Sequence, residues 1–219
     1  SQICKKAEFP QGVINIVHGY GNKVGDALSK HPNVPIISFT GGTATGEKIA
    51  ATAAPMFKKL SLELGGKNPN IIFEDADFDN AVKMSAKAAF SNQGQICLCG
   101  SRLFVQESIY DKFRDAIIKE TNELKVGNPK DIDSNLGAVV SKPHMEKILS
   151  CIERAKQEGG KILTGGNRVI LNGELKNGYY IEPTIIEGLS VDSQTNREEI
   201  FGPVVSMIPF KTEEEVIAM

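Results

Sequence analysis

The sequence predicts an α/β protein with parallel strands, built from two units. Short runs rich in β-branched residues alternate with stretches whose apolar residues recur at helical spacing, which is typical of strand–helix–strand units. The pair Gly65-Gly66 interrupts this alternation and a new strand follows Pro69, so we place a domain boundary near residue 66. With 219 residues, 41% of them hydrophobic, the chain is long enough to give each unit a core.

The first unit contains three predicted strands and two predicted helices. The strands are expected at residues 13–17, 36–40 and 60–64. Helices are expected at 22–30 and 43–54, each opening after a glycine. Residues 1–8 have the pattern of the end of a helix.

The second unit continues the alternation. A helix at 77–92 is expected to start at the cap Asp77 and to end at Gly94, followed by a strand at 102–106 and a helix at 108–124. A helix at 142–158 and strands at 162–163, 179–185 and 204–208 come next. Finally, Thr212 and three glutamates have the pattern of a helix N-cap and an acidic first turn. We therefore expect an internal fragment of a longer protein, cut within a helix at each end.

Composition excludes several classes of partner. The formal net charge of −2 leaves no basic excess to neutralise phosphates, so nucleic acid is not an expected partner. No apolar run reaches the roughly 18 residues needed to span a bilayer, so we expect a soluble protein that binds no membrane. The cytoplasm is the expected location, and the compartment stays open because any leader would belong to a missing N-terminal part. The cysteines Cys4, Cys97, Cys99 and Cys151 lack the paired spacings of a zinc site or disulfide framework, so we expect reduced thiols and no metal.

Two glycine-rich turns are candidates for binding phosphate. The turn at 19–25 has one residue too many for a dinucleotide fingerprint, and an ordinary turn remains the stronger interpretation. The turn at 41–48 has the glycine spacing of a phosphate loop, but Glu47 stands where lysine is required, which disfavours a nucleoside triphosphatase. Gly41 and Gly42 could still open a helix whose N-terminus attracts an anion such as a pyrophosphate, or could form a turn without a ligand.

Three further positions are candidates for chemistry. Glu63 lies between leucines on a predicted strand: if buried, its pKa would rise toward that of a general base, and the alternative is the solvated face of an edge strand. Cys97 follows a helix end, where free backbone N–H groups could stabilise a thiolate, although an inert buried thiol is equally compatible. Glu199 and Phe201 precede Gly-Pro and could bind a sugar hydroxyl and a planar group, or simply form a loop.

Taken together and in this order, the motifs resemble the aldehyde dehydrogenase superfamily. The matching stretches are FTGGTATG at 39–46, LELGGKNP at 62–69, FSNQGQIC at 90–97 and EEIFGP at 198–203. The resemblance implies part of a Rossmann-like cofactor-binding domain at residues 1–66, followed by most of an α/β catalytic domain at 67–219. It also implies that Cys97 is the nucleophile that attacks a small aldehyde and that Glu63 is the general base that activates the hydrolytic water.

The same resemblance implies an NAD site and an assembly. Gly41 and Gly42 would face the pyrophosphate, Glu199 would bind the nicotinamide ribose, and Phe201 would pack near the nicotinamide ring. Relatives often carry serine at the position of Gly42, so one phosphate contact is expected to be weaker here. The longer parent protein is expected to be a homo-oligomer.

Two finer expectations concern substrate and activity. The stretches FEDAD at 73–77 and ICLCGSR at 96–102 most resemble the branch that oxidises 2-aminomuconic semialdehyde in tryptophan catabolism. Betaine aldehyde, another semialdehyde, or a non-catalytic protein of the same fold remain as alternatives. Family members are about twice this length and carry the oxyanion-hole asparagine and the first cofactor-binding strands on segments that this chain lacks. We therefore expect the isolated chain to be inactive.

Overall fold

The computed structural model describes residues 2–219, in which one compact unit ends at Gly65 and another begins at Gly66. Both units alternate helices with parallel strands, so the predicted α/β fold class is confirmed. Among residues 2–219, no helix combines the length and the apolar composition that crossing a bilayer requires. Within the same range, no cluster of three or more His, Cys, Asp or Glu side chains is arranged to hold a metal ion.

The first unit is a two-stranded parallel sheet flanked by short helices. Its elements are α1 (Gln2–Lys6), α2 (Asp26–Lys30), β1 (Ile36–Gly41), α3 (Thr43–Ala53) and β2 (Lys59–Leu64). A π-helical turn at Gly21–Gly25 leads into α2. β1 and β2 pair in parallel with Thr40 opposite Glu63, which confirms the strands expected at 36–40 and 60–64.

The strand expected at residues 13–17 is wrong. These residues are exposed and form no strand, although their β-branched pattern favours one. A strand requires a neighbour to accept its backbone hydrogen bonds, and among the described residues β1 and β2 pair only with each other. Local propensity without a partner therefore leaves the segment irregular.

The second unit is built on a five-stranded sheet. Its elements are β3 (Pro69–Ile72), α4 (Phe78–Phe90), β4 (Arg102–Gln106), α5 (Tyr110–Asn122), α6 (Lys142–Gln157), β5 (Lys161–Thr164), β6 (Arg168–Val169), β7 (Tyr180–Ile181), β8 (Thr184–Glu187), α7 (Gln194–Arg197), β9 (Val204–Phe210) and α8 (Glu213–Ala218). The strand order is β3-β4-β9-β8-β5, parallel throughout except that β5 runs antiparallel to β8. The predicted strand at 179–185 is in fact β7 and β8: β7 pairs with β6 outside the main sheet, and Pro183, which has no N–H to donate, separates the two.

Helix ends follow from local sequence. Asp77 caps α4 by accepting from the backbone N–H of Asn80, and Thr212 caps α8 by accepting from that of Glu215.

The helices of the second unit cover its sheet. α4 and α5 bury Phe90, Phe113 and their neighbours against the sheet in one cluster, and α6 buries Ile148 and Ile152 in a second. The parallel sheet thus has helices packed on it and buried strands within it, as such sheets require.

Candidate active site

Cys97 lies on an exposed turn between α4 and β4. The backbone N–H groups of Cys97 and Leu98 donate to no protein oxygen within residues 2–219. Unused N–H groups beside a solvent-accessible thiol can stabilise negative charge on sulfur or on an oxygen bound next to it. Of the two interpretations of Cys97, the structure shows the accessible one, whereas Cys99 and Cys151 are buried.

The side chain of Asn68 holds this turn. Its Nδ2 donates to the carbonyl oxygen of Cys97 at 2.6 Å and to that of Cys99 at 3.2 Å. The turn is closed locally by Cys99 N–H donating to the Ile96 carbonyl at 3.1 Å, and Gly100 N–H donates to the Ala88 carbonyl of α4 at 3.2 Å. Asn68 lies within the motif that contains Glu63, but nothing in the sequence alone indicates that its side chain binds the turn of Cys97.

Three consecutive residues before the turn adopt a left-handed backbone. Asn92, Gln93 and Gly94 have φ of 50°, 56° and 68°, a region that costs non-glycine residues about 1 kcal/mol each. Contacts hold them there: Gln93 Oε1 accepts from Gly137 N–H at 3.0 Å and its Nε2 donates to the Ala138 carbonyl at 3.3 Å. The conformation that presents Cys97 is therefore maintained by residues more than forty positions away in sequence.

The turn that carries Cys97 packs on the loop of Glu199 and Phe201. A Cβ at Gly94 would overlap the carbonyl oxygen of Gly202, so the two backbones meet where only glycine fits. A narrow crevice of about 10 Å³ lies here, lined by Gly66, Gly94, Ile96, Cys99, Ser101, Glu199, Ile200, Phe201, Gly202 and Val204. Within the described part of the chain, the carboxylate of Glu199 has no hydrogen-bond or ion-pair partner. The structure thus packs the turn that carries Cys97 against the loop that carries Glu199 and Phe201, and Cys97 itself does not line the crevice between them.

Lys67 is a half-buried cation in the same unit. Desolvation lowers its pKa to about 8, an effect that Arg102 reinforces and that Cys151 and Glu199 oppose. Arg102 Nε donates to the Lys67 carbonyl at 2.9 Å, which fixes the backbone just before β3. Lys67 has no recognisable signal in the sequence, because its burial arises from residues distant in the chain.

The proposed phosphate contacts lie in the first unit. Gly41 ends β1, and Gly42 is the N-cap of α3 with no side-chain capping bond. The N–H groups of Thr43 and Ala44 donate to no protein oxygen in the described chain, so this helix start can accept an anion. An adjoining cleft of about 410 Å³ is lined by Gly21, Asn22, Gly25, Asp26, Leu28, Ser29, Ile37, Ser38, Phe39, Thr45, Lys48, Ile49 and Thr52.

Glu63 lies in β2 with its side chain exposed. Residues alternate along this strand between exposed and half-buried, and Glu63 is on the exposed side while Leu62 and Leu64 are on the other. Of the two interpretations of Glu63, the structure therefore shows the solvated face of an edge strand. The assignment of Glu63 as a base depends on the family motif rather than on burial.

Comparison with known proteins gives the family. The aldehyde dehydrogenase family model matches residues 1–219. The chain is 50% identical over 218 residues to the 2-aminomuconic semialdehyde dehydrogenase of Mus musculus, covering 99% of this chain and 45% of the relative. It is 45% identical over 219 residues to the chloroplastic betaine aldehyde dehydrogenase of Amaranthus hypochondriacus, covering 100% and 43%.

Comparison with solved structures gives the same family. A betaine aldehyde dehydrogenase from Staphylococcus aureus, solved in complex with NAD+, superposes with a TM-score of 0.94 at 44% identity, covering 99% of this chain and 43% of that one. The chain therefore spans less than half the length of these relatives. A family model that matches all 219 residues, together with these identities, shows that the chain belongs to the aldehyde dehydrogenase family.

Proposed function

We propose that this chain is the nucleophile-bearing part of an NAD-dependent aldehyde dehydrogenase that oxidises a semialdehyde to a carboxylic acid. The observation that carries the proposal is Cys97, exposed with unused backbone N–H groups on a turn whose Gly94 packs against the loop of Glu199 and Phe201. A thiol and N–H donors able to stabilise an oxyanion are groups that such a reaction needs at one place, and Glu199 and Phe201 would serve the cofactor beside them.

The residues fit a dinucleotide. Gly42 leaves the start of α3 open to a pyrophosphate, since a Cβ there would meet no atom within 4 Å. The neighbouring cleft in the first unit has apolar walls, including Leu28 and Ile49, suited to a planar base. Gly41 and Gly42 would hold the pyrophosphate, Glu199 would accept from a ribose hydroxyl, and Phe201 would pack near the nicotinamide. Bound NAD would supply the acceptor for a hydride.

Cys97 and Glu63 would act in sequence. The Cys97 sulfur attacks the aldehyde carbon and forms a thiohemiacetal, whose oxyanion the Cys97 N–H stabilises. The thiohemiacetal then loses a hydride, for which bound NAD would be the acceptor, and becomes a thioester. Glu63 then removes a proton from water, whose oxygen attacks the thioester carbon; the C–S bond breaks, the acid leaves and the Cys97 thiolate is restored.

The substrate is proposed from the motifs and the relatives. The stretches at 73–77 and 96–102 and the 50% identity to the mouse relative support 2-aminomuconic semialdehyde, and with it a role in tryptophan catabolism. Betaine aldehyde is the second candidate because a relative of that name is 45% identical. The two differ in charge, since the first carries a carboxylate and the second a quaternary ammonium, so they can be separated in a competition assay.

The experiment measures NADH formation by the longest natural polypeptide that contains this chain, with a panel of aldehydes that includes both candidates. We expect Cys97→Ala to lower kcat by roughly 10⁴-fold or more, because no thioester can form. Cys4→Ala, which removes a half-buried thiol in the first unit, should leave kcat unchanged. Glu63→Gln should release about one NADH per active site and then stall, because the thioester is no longer hydrolysed.

Two outcomes would contradict the proposal. If Cys97→Ala turns over as fast as the wild type, Cys97 is not the nucleophile. If no aldehyde gives NADH although NAD binds, a non-catalytic protein of this fold is favoured. The isolated 219-residue chain is expected to form no NADH.

We also propose a compartment and an assembly for the parent protein. Cys4, Cys97, Cys99 and Cys151 are all unpaired thiols, which fits a reducing compartment such as the cytoplasm. A homo-oligomeric parent follows from the family resemblance. The mass of the native protein in solution, compared with its mass under denaturing conditions, tests the assembly.

A further inference from the structure

We propose that His144 and Lys147 of α6 are positioning residues that hold the Glu199–Phe201 loop in the conformation needed to bind the cofactor. The inference rests on the proposed function, because that function assigns Glu199 and Phe201 to the nicotinamide end of NAD. Neither His144 nor Lys147 needs to contact the substrate or the cofactor for this role.

Two hydrogen bonds from one helix face reach this loop. His144 Nε2 lies 2.6 Å from the carbonyl oxygen of Phe201, and because a carbonyl can only accept, Nε2 carries the proton. Lys147 Nζ donates to the carbonyl of Glu199 at 3.2 Å. Residues three apart lie on the same side of a helix, so a single rigid surface binds the two ends of the Glu199–Phe201 segment. Ser141 fixes that surface by capping α6: its Oγ accepts from His144 N–H at 3.3 Å.

The loop needs such support because Phe201 has a left-handed backbone. Its φ is 59°, and a bulky non-glycine residue in this region is disfavoured by about 1 kcal/mol. The hydrogen bond from His144 is made to the carbonyl of this same residue. The imidazole also packs edge-on against the Phe201 ring, with centroids 6.0 Å apart and an interplanar angle of 68°. His144 thus restrains both the backbone and the ring of Phe201.

The same helix face connects the loop to the turn that carries Cys97. Ile148, next to Lys147, packs so closely on Gly202 that a Cβ there would meet its side chain at 2.5 Å. The Gly202 carbonyl in turn packs against Gly94, three residues before Cys97. α6 therefore packs on the Glu199–Phe201 loop, and this loop packs on the turn that carries Cys97. Loss of the donors on α6 would release Glu199 and Phe201 while leaving Cys97 on its turn, which Asn68 and Gln93 hold separately.

The experiment compares variants of the longest natural polypeptide that contains this chain. His144→Phe keeps a ring against Phe201 but removes the donor, whereas His144→Gln keeps a donor of similar reach. Lys147→Met keeps an apolar stem without the charge. Glu146→Gln is the matched control, because Glu146 is an exposed neighbour on α6 whose partner is Lys142.

We expect His144→Phe to raise KM for NAD about tenfold, the effect of losing one hydrogen bond to a strained carbonyl. His144→Gln should recover most of this loss, and Lys147→Met should raise KM by about threefold. The rate at which a small alkylating reagent modifies Cys97 without cofactor should not change in any variant. Hydrogen exchange of the peptide spanning 198–204 should become faster in His144→Phe and remain at the wild-type rate in Glu146→Gln.

The outcomes separate this inference from the proposed function. If the wild type oxidises aldehydes and His144→Phe matches it in KM for NAD and in exchange of 198–204, the positioning role is refuted while the function stands. If His144→Gln is as impaired as His144→Phe, the hydrogen bond is not the cause and the inference also fails. If exchange becomes faster but the wild type has no aldehyde dehydrogenase activity, the loop contact is real, and the function, with the role derived from it, is overturned.

Discussion

Cys97 and Cys99 are two residues apart in sequence but differ in environment. Cys97 is exposed, whereas Cys99 is buried, and this burial raises the pKa of the Cys99 thiol. Only the thiolate reacts with electrophiles, so Cys99 is disfavoured both by access and by ionisation. The relative rates at which the two thiols are alkylated therefore report which of them is available for chemistry.

We expect iodoacetamide at pH 7.5 to modify Cys97 about tenfold faster than Cys99 or Cys151. Because the pKa of Cys99 is raised, its thiolate fraction stays low at that pH, and its labelling rate should keep rising at pH values where the rate of an ordinary thiol has levelled off. Tandem mass spectrometry resolves the two cysteines on one peptide. Equal labelling of Cys97 and Cys151 at neutral pH would favour a purely structural protein.

At single residues, the sequence predicts which side chains carry the chemistry more reliably than it predicts their burial and their electrostatic surroundings. Cys97 was found from its turn and its motif, because glycine and polar neighbours act locally. The environment of Glu63 was left open, and the strand register places it on the exposed side. Lys67 was missed, because its lowered pKa depends on desolvation and on Arg102, thirty-five residues away. Electrostatic environments are set by long-range packing, which a single sequence does not display.

The turn before Cys97 depends on one glycine. Gly94 combines a φ of 68° with close contact to the Gly202 carbonyl, so a methyl group would be both strained and overlapped by backbone. Gly173 has a similar φ of 65°, but a Cβ there would meet no atom within 4 Å. An alanine at Gly173 would therefore bear only the cost of the left-handed backbone, whereas an alanine at Gly94 would bear that cost and the cost of steric overlap.

We expect Gly94→Ala to lower the free energy of unfolding of the second unit by more than about 2 kcal/mol, and Gly173→Ala by about 1 kcal/mol. Gly94→Ala should also slow the alkylation of Cys97, because the turn must shift to relieve the overlap. Urea unfolding followed by circular dichroism measures the first effect. A Gly94→Ala variant no less stable than Gly173→Ala would show that the turn adapts without cost.

Elements with local signals were predicted well, and those that need partners were not. The starts of α4 and α8 followed from Asp77 and Thr212, whose capping bonds span only three residues. Residues 13–17 have a strand composition but no strand partner in the described chain. The sequence predicts a single strand at 179–185 because the apolar pattern continues through Pro183. In the structure β7 pairs with β6 and β8 pairs with β9, so the segment belongs to two sheets.

Across the whole molecule, burial is distributed unevenly between the two units. Only Ser29, Gly46 and Ala53 are buried among residues 2–65, and their sheet has two strands. The second unit has three buried clusters and a five-stranded sheet. Two-stranded sheets are marginal in water without further packing, so the units should differ greatly in resistance to local opening. The large apolar side chains exposed in the first unit are Ile3, Phe9, Val13, Ile14, Ile16, Val17, Tyr20, Leu28, Ile36, Met56 and Phe57.

We expect limited trypsin digestion of the isolated 219-residue chain to remove most of residues 2–65 and to leave a fragment that begins near Gly66. The first unit offers cleavage sites such as Lys5, Lys23 and Lys48 on poorly buried backbone, whereas the core of the second unit protects its interior sites. Intact-mass spectrometry over a time course identifies the surviving fragment. The same digestion of the longest natural polypeptide that contains this chain is the control: residues 2–65 should resist there if the exposed apolar side chains are covered by other segments. Simultaneous cleavage of both units in the isolated chain would mean that the clusters of the second unit do not form an independent core.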